Sequence, residues 1–503
     1  MPKKNKTAKK FRLFSAVLAT VCIILVGDAV APTAAIGNSQ YIWWILMLVA
    51  FFVPYGLISA ELGSQYPSEG GMYTWIEKAL GEKWASRVAW YYWINFPLWV
   101  ASLADLVTTY LLQMLGFEMT WPIILAIQLG YILLVTVLGM LRISQSAWVS
   151  NLGAIVKFIF MAGLGGLGIY VLVTQGSANP IESWTDFLPM VGADGGFDFT
   201  GLGFVSLIIF NMLGFEVVST FSDDMQNPKK EIPKAIILGG ILIAIFYLLP
   251  SFGIGVAVPL EELQTNSGLL DSYNSLLTTI GLSAGAIKAI TLVVGGMFIY
   301  TLIANISSWT FGVNSVTAFA AQDGAFPKSW MKRNKSGVPY VVSIWTGVVA
   351  AVISVAGILI AEFVSEDITN LFWTFFSLSL VTLLMSYLPM FAAFYKLHKR
   401  GPQTKNGYWI SGGGIKIFLY AFVPMLLLIV ALFFTLFPEF NLEMFEYNWP
   451  LIAGACLAVI AGEIMVRNVT VTYGEWNKYN RSGKKNRALK SGKKTKTTRK
   501  ATK

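Results

Sequence analysis

The chain has 503 residues, 55% of them hydrophobic and only 13% charged, with a formal net charge of +10. A soluble protein carries about a quarter charged residues, and here the apolar residues fall in runs long enough to cross a bilayer core of about 30 Å, which excludes a soluble globular fold. Two cysteines in apolar runs, Cys22 and Cys456, and one histidine, His398, exclude a disulfide framework and a metal centre built from such ligands.

Twelve apolar runs follow a basic segment at 1–12. They cover 13–37, 41–65, 84–115, 121–141, 145–174, 200–222, 234–258, 284–321, 339–361, 368–396, 414–437 and 449–468. The loops after spans 1, 3, 5, 7, 9 and 11 hold no Lys or Arg. Their acids are Glu118; Glu182, Asp186, Asp194 and Asp198; Glu261, Glu262 and Asp271; Glu362, Glu366 and Asp367; and Glu439, Glu443 and Glu446. The other loops hold basic residues such as Lys229, Lys230, Lys332, Arg333, Lys399 and Arg400. Positive residues stay cytoplasmic, so twelve spans with both termini inside are expected, in a plasma membrane and, with loops this short, a bacterial inner one. The tail 469–503 carries twelve Lys and Arg from Lys478 onward and no acid beyond that point. It is expected to be a disordered cytoplasmic segment that reinforces topology or meets anionic lipid head groups; nothing in it points to nucleic acid.

The first run reads ILVGDAVAPTAAIG over 24–37, with Gly27, Asp28 and Pro32 at membrane depth. Lysines, an apolar run and APTAA also imitate a cleaved signal peptide. The run is kept as a span because the sixth run has a matching interruption, Asn211-Met212-Leu213-Gly214-Phe215-Glu216. Breaks at corresponding positions of two halves mark a transporter built from inverted repeats. The repeats would be 13–174 and 200–396, with 414–468 added. An unwound segment frees N–H and C=O groups, tolerated at that depth only where they line a cavity. Half-helix N-termini suit a carboxylate and half-helix C-termini an ammonium, so two facing breaks suit a zwitterion such as an amino acid. The competing reading is that Gly27 and Gly214 merely let helices pack closely.

Three stretches carry a family resemblance: ISAELGSQYPSEGGMYTWIEKALG (58–81), GFE followed by NPKKEIPKAI (214–236), and ISSWTFGVNSVTAFAAQDGAFPKSWMKRNKSGVP (306–339). They resemble signatures of the amino acid–polyamine–organocation (APC) transporters, the last most like the bacterial glutamate/γ-aminobutyrate antiporter branch. The resemblance implies an all-α integral membrane protein of twelve helices in a five-plus-five inverted repeat, with helices 1 and 6 unwound at mid-membrane. It implies alternating access, an amino acid or amine substrate and no cofactor. By position, residues 25–31 and 210–215 are the unwound segments. The implied substrate-binding residues are Val26, Gly27, Asp28, Ala29, Val30, Phe210, Asn211, Met212, Leu213, Gly214, Phe215, Ser308 and Trp309. Phe210 matches an aromatic that caps substrate, and Trp309 one on which arginine-type substrates stack; a packing role for Trp309 is the alternative.

One departure from the family concerns Gly27-Asp28-Ala29, where many members have Gly-x-Gly. Asp28 either attracts a substrate ammonium or caps the half-helix that begins near Pro32. Lys157 matches a span 5 lysine of proton-coupled relatives, with Ser307 and Ser308 as expected neighbours; the alternative is a lysine that snorkels or forms a fixed structural ion pair. Glu216 either ties the broken helix to its neighbours or acts as a gate or proton carrier. Asp105 and Glu61 are further intramembrane acids without an assigned partner, Asp223 and Asp224 suit an inner gate, and His398, in KLHKRG, reads as a solvated loop residue.

An enzyme is not expected, since no paired metal ligands and no nucleophile elbow are present. A channel lacks a carbonyl-filter signature. The expectation is a secondary active transporter, working as an exchanger, with proton-coupled uptake as the first alternative and a non-transporting amino acid sensor as the second. Coupling to protons and oligomeric state stay open.

Overall fold

The first apolar run does not form one helix. In the computed structural model α1 (Leu13–Ile24) stops ahead of Gly27, and a short α2 (Val30–Ala34) follows, with Pro32 inside its first turn, where a missing N–H removes no intrahelical bond. The structure describes residues 12–27, 30–116, 120–141, 143–190, 200–265, 268–363, 371–437 and 449–467. Asp28 and Ala29, two of the expected site residues, lie outside these, as does the basic tail.

The second run is α3 (Gln40–Met47) and α4 (Val53–Gln65), joined by a wide π-helical turn at Leu48–Phe52. Pro54 has no N–H to give the carbonyl four residues back, which opens the ladder there. An amphipathic α5 (Gly71–Leu80) leads into α6 (Glu82–Leu115), α7 (Trp121–Leu138) and α8 (Ile143–Gln175). The sixth run is broken like the first. It contains α9 (Thr200–Gly203), α10 (Val205–Phe210), a non-helical stretch from Asn211 to Glu216, and α11 (Val217–Thr220). Then come α12 (Pro228–Ala257), two short connecting helices, α13 (Leu260–Thr265) and α14 (Leu269–Thr279), and α15 (Ala284–Gln322). The chain continues through α16 (Tyr340–Phe363), α17 (Leu371–His398), α18 (Gly414–Leu436) and α19 (Trp449–Arg467).

Among the described residues, nine helical segments are long and apolar enough to cross a membrane. They coincide with nine of the twelve expected runs. The other three are the two broken runs and α6, whose 34 residues include Glu82, Lys83, Arg87 and Asp105. Both breaks sit slightly off the expected limits: Val30 and Ala31 are already helical, Phe210 closes α10, and the second gap runs through Glu216.

α1 is the centre of the bundle. Every residue from Ala16 to Ile24 is buried, against α8, α12 and α15. α6 packs on α17 and α15, and α12 on α8 and α4. Outward faces stay apolar, as at Leu133, Ile155, Ile241, Val352 and Ile429, which suits hydrocarbon as the surrounding solvent. Broken backbone therefore falls where protein, not lipid, encloses it.

His398 departs from its expected role as a solvated loop residue. It is the last residue of α17, with a side chain only 12% exposed, and its Nδ1 lies 2.8 Å from Oε1 of the buried Glu61. Its ring stacks on Trp409, centroids 4.2 Å apart. The other Glu61 oxygen accepts the Ile410 N–H at 2.8 Å. Ser64 and Gln65 bond the same connection, at Tyr408 and at Gln403 and Thr404, which fastens it to the end of α4. The basic neighbours in the sequence hid a residue held by packing and an acid partner.

Candidate functional site

A helix that ends inside a protein leaves its last four carbonyls without partners. At the end of α1 these are filled by side chains from three helices. Lys157 of α8 donates to the Cys22 carbonyl at 2.7 Å and to that of Leu25. Asn305 of α15 donates to Cys22 and Ile23, each at 2.8 Å, and Trp309 donates its indole N–H to Ile23 at 2.9 Å. Tyr247 of α12 donates to Ile24 at 2.6 Å and accepts the Val26 N–H at 2.8 Å. The Lys157 ammonium also faces the negative end of the α1 dipole, worth about 0.3–2 kcal/mol. Ser308 reaches the Cys22 thiol at 3.7 Å and shares a 2.7 Å hydrogen bond with Ser150. It thus neighbours the Lys157 end of α1.

The second break is held by Glu216, which is fully buried. Its carboxylate accepts the hydroxyls of Tyr55, Tyr92 and Tyr387 at 2.5, 2.7 and 2.6 Å, from α4, α6 and α17. The Tyr55 oxygen in turn accepts the N–H groups of Gly214 and Phe215 at 2.9 and 3.0 Å. The freed amides of the break and the acid beside it therefore share one tyrosine.

The second break meets the end of α1 at Gly214. Its φ of +125° belongs to glycine, and a Cβ there would lie 2.8 Å from Ile23, 3.0 Å from Ile24 and 3.0 Å from the Trp309 ring. Around this contact stand four large rings. Trp99 of α6 meets Phe210 and Trp309 edge-on, both at 5.6 Å, and Phe210 meets Phe376 of α17 edge-on at 4.9 Å. Gly27, within the first break, is crowded by Leu269 of α14, Met161 and Phe298.

The Amino acid permease family matches residues 11–461. The chain belongs to this family. Over 461 residues this permease is 42% identical to the "Probable agmatine/putrescine antiporter AguD" of Lactococcus lactis, covering 91% of this chain and 95% of that protein. It is 25% identical to the glutamate/gamma-aminobutyrate antiporter of the same organism, over 87% of this chain and 86% of that one. Among solved structures, a manganese transporter of Eremococcus coleocola superposes with a TM-score of 0.56 at 12% identity, covering 91% and 94% of the two chains. The permease is thus a membrane transporter of the APC superfamily with a transporter fold, and not an enzyme.

The structure brings together three of the residues expected at the site, Phe210, Gly214 and Trp309, around one contact; Val26 is tied to Tyr247, and Asn211, Met212 and Leu213 are buried within the second break. Phe215 turns the other way, onto Phe52 and Tyr55 at 4.9 and 5.4 Å, and Ser308 faces α8. Asp105 is tied to Gln128 of α7 at 2.8 Å. Asp223 is exposed and Asp224 half-buried beyond α11. Sequence reasoning missed Tyr55, Tyr92, Trp99, Tyr247, Asn305 and Tyr387. Their only signal is polarity at the tips of side chains that otherwise read as packing.

Proposed function

We propose that this permease is a secondary active exchanger of amines and amino acids that works by alternating access. In this reading the chain crosses the plasma membrane twelve times with both termini in the cytoplasm. Residues 13–174 and 200–396 are the two inverted repeats, 414–468 are two added spans, and the two breaks hold the substrate. The observation that carries the reading is the contact of the second break with the end of α1, at Gly214, Ile23 and Trp309, closed in by Trp99, Phe210 and Phe376. Irregular backbone from two helices, meeting in the centre of a bundle, supports a binding site between two parts that can move against each other.

Amines are the favoured substrates. A cation over an aromatic face gains about 0.5–2 kcal/mol, and the 42% identical relative carries agmatine and putrescine in its name. Glu216 serves as the tie that must be remade when the site opens, because its three tyrosines come from three helices. Asp28 keeps two roles, ammonium recognition and helix capping. Asp28→Asn separates them: recognition predicts a loss for amines far larger than for neutral amino acids. Proton-coupled uptake is the second reading, favoured by Lys157, whose release from the α1 carbonyls would couple a proton to the position of that helix.

The test is reconstitution. Purified permease in proteoliposomes is expected to carry radiolabelled agmatine and putrescine into the lumen. Binding of either without flux would leave a sensor and overturn the transporter mechanism.

A further inference from the structure

The wide turn at Leu48–Phe52 leaves a second mark on the fold besides the opened ladder. Between this turn, the start of α4 and α12 lies a hollow of about 250 Å3. Its floor is buried and consists of Phe52, Gly56, Phe215, Ile236 and Gly240. Its rim is Val49, Val53, Ile237 and Ile241, all exposed on the outer face of the bundle. Every residue that lines it is apolar or glycine. The two glycines shape it: a Cβ at Gly56 or Gly240 would lie 3.0 or 3.2 Å from the Phe215 ring, so the absence of side chains there lets that ring lie at the floor.

Residues 48–57 fall at the middle of the apolar segment Gly37–Gln65, and residues 236–244 at the middle of Pro228–Ala257. The opening therefore faces the centre of the hydrocarbon core, away from water and lipid head groups. The lining offers no side-chain hydrogen bond, so a polar ligand would lose its own partners on entering. A cavity of about 150 Å3 lined by aliphatic and aromatic side chains stays dry and takes up benzene or xenon; this one is larger and opens onto alkyl chains. Lipid tails are as apolar as leucine, so entry is favoured by packing and not by the hydrophobic effect. An empty hollow forfeits the dispersion contacts of its lining. A helix of a partner or of a second copy, about 10–12 Å across, could send only a side chain to the floor, whereas an alkyl chain enters lengthwise.

We infer that this crevice binds the terminal part of a phospholipid acyl chain, at the back of the second break. Phe215 belongs to the non-helical stretch, between Gly214, which touches the end of α1, and Glu216, which holds three tyrosines. Its ring also packs on Phe52 of the wide turn, at 4.9 Å. A chain seated against Phe215 backs the break from the lipid side and opposes its displacement toward the bilayer. The site is separate from the contact at Gly214 and Trp309, and it does not depend on what the permease carries.

The test is photolabelling of the purified full-length permease in phosphatidylcholine and phosphatidylglycerol nanodiscs that include a phospholipid with a diazirine at the end of one acyl chain. Peptide mapping should find the chain-end label on the floor residues Phe52 and Phe215 severalfold above that on ordinary outward residues such as Ile155 and Val352. The same diazirine placed next to the ester carbonyl should leave the floor unlabelled. Ala244→Phe fills the hollow from α12 and should cut the floor label severalfold while Val49 and Ile241 keep theirs. Val53→Phe does the same from α4 if the first variant does not yield folded protein. Label confined to the rim, at the level of other outward residues, would overturn the inference, as would floor label that a folded filling variant leaves unchanged. An unlabelled floor and rim would show that protein covers the crevice, and would overturn it too.

Discussion

Gly214→Ala perturbs the contact on which the account depends. The added methyl would sit at a φ of +125° and within 2.8–3.0 Å of Ile23, Ile24 and the Trp309 ring. Holding a side-chain-bearing residue in such a conformation costs of order 1–3 kcal/mol, and overpacking a filled interior costs about 1–3 kcal/mol more. Ile23 is held through its carbonyl by Asn305 and Trp309, so it has little room to retreat. The sum, about 2–6 kcal/mol, is large against the marginal stability of folded proteins. Thermal unfolding in detergent and amine flux in proteoliposomes should both fall. Gly203→Ala is the control within the same run: a Cβ there meets nothing within 4 Å, so it should leave stability unchanged or raise it by up to about 1 kcal/mol. A Gly214→Ala protein as stable and as active as the wild type would refute the reasoning, because the second break could not then be in contact with the end of α1.

Tyr387→Phe removes one of three donors from Glu216 and should cost about 1.5–3 kcal/mol. Tyr55→Phe should cost more, because the same hydroxyl also accepts two amides of the break; equal losses by thermal unfolding would argue against the shared-tyrosine arrangement. His398→Ala leaves the buried Glu61 with the Ile410 N–H and without its ring partner. It should destabilise by about 1–3 kcal/mol and expose the 401–411 connection to proteolysis; protection equal to wild type would contradict that fastening. Outside the membrane spans, burial, followed by the neighbouring Glu262, pushes the Asp271 carboxyl up from its usual value of 3.8. Burial, then Asp323, likewise raises Glu77. A folded-state pKa above the unfolded one means that stability is fully present below the unfolded value and is lost as pH rises through the folded one. Acidification toward the ordinary carboxylate values should therefore stabilise the protein, and Asp271→Asn with Glu77→Gln should flatten that dependence; an unchanged pH profile in the double variant would refute the assignment.

The breaks were legible because a helix needs regular residues and these two runs interrupt themselves with Gly and an acid at corresponding places. Family membership was legible in the stretches around 58–81, 214–236 and 306–339. What satisfies the freed backbone was not. Tyr247, Asn305 and Trp309 come from helices distant in sequence, and a tyrosine or asparagine within an apolar run gives no hint of the carbonyl it will meet. Lys157 was visible as a buried cation, but its partners are backbone atoms, which no residue pattern announces. Glu216 stood out as an acid at depth, while its three tyrosines did not, since each hydroxyl reaches it from a different helix. His398 was misread for the opposite reason: its basic neighbours suggested solvent, and only the fold brings Glu61 and Trp409 to it.

The central claim is exchange, and trans-stimulation tests it most directly. Proteoliposomes holding the permease are loaded with unlabelled agmatine or left empty, and entry of labelled putrescine is followed with no pH difference across the membrane. Internal agmatine should accelerate entry severalfold over empty vesicles, because the loaded carrier returns with substrate in its site. Equal entry into loaded and empty vesicles, with accumulation appearing only when a proton gradient is imposed, would contradict exchange and establish proton-coupled uptake in its place.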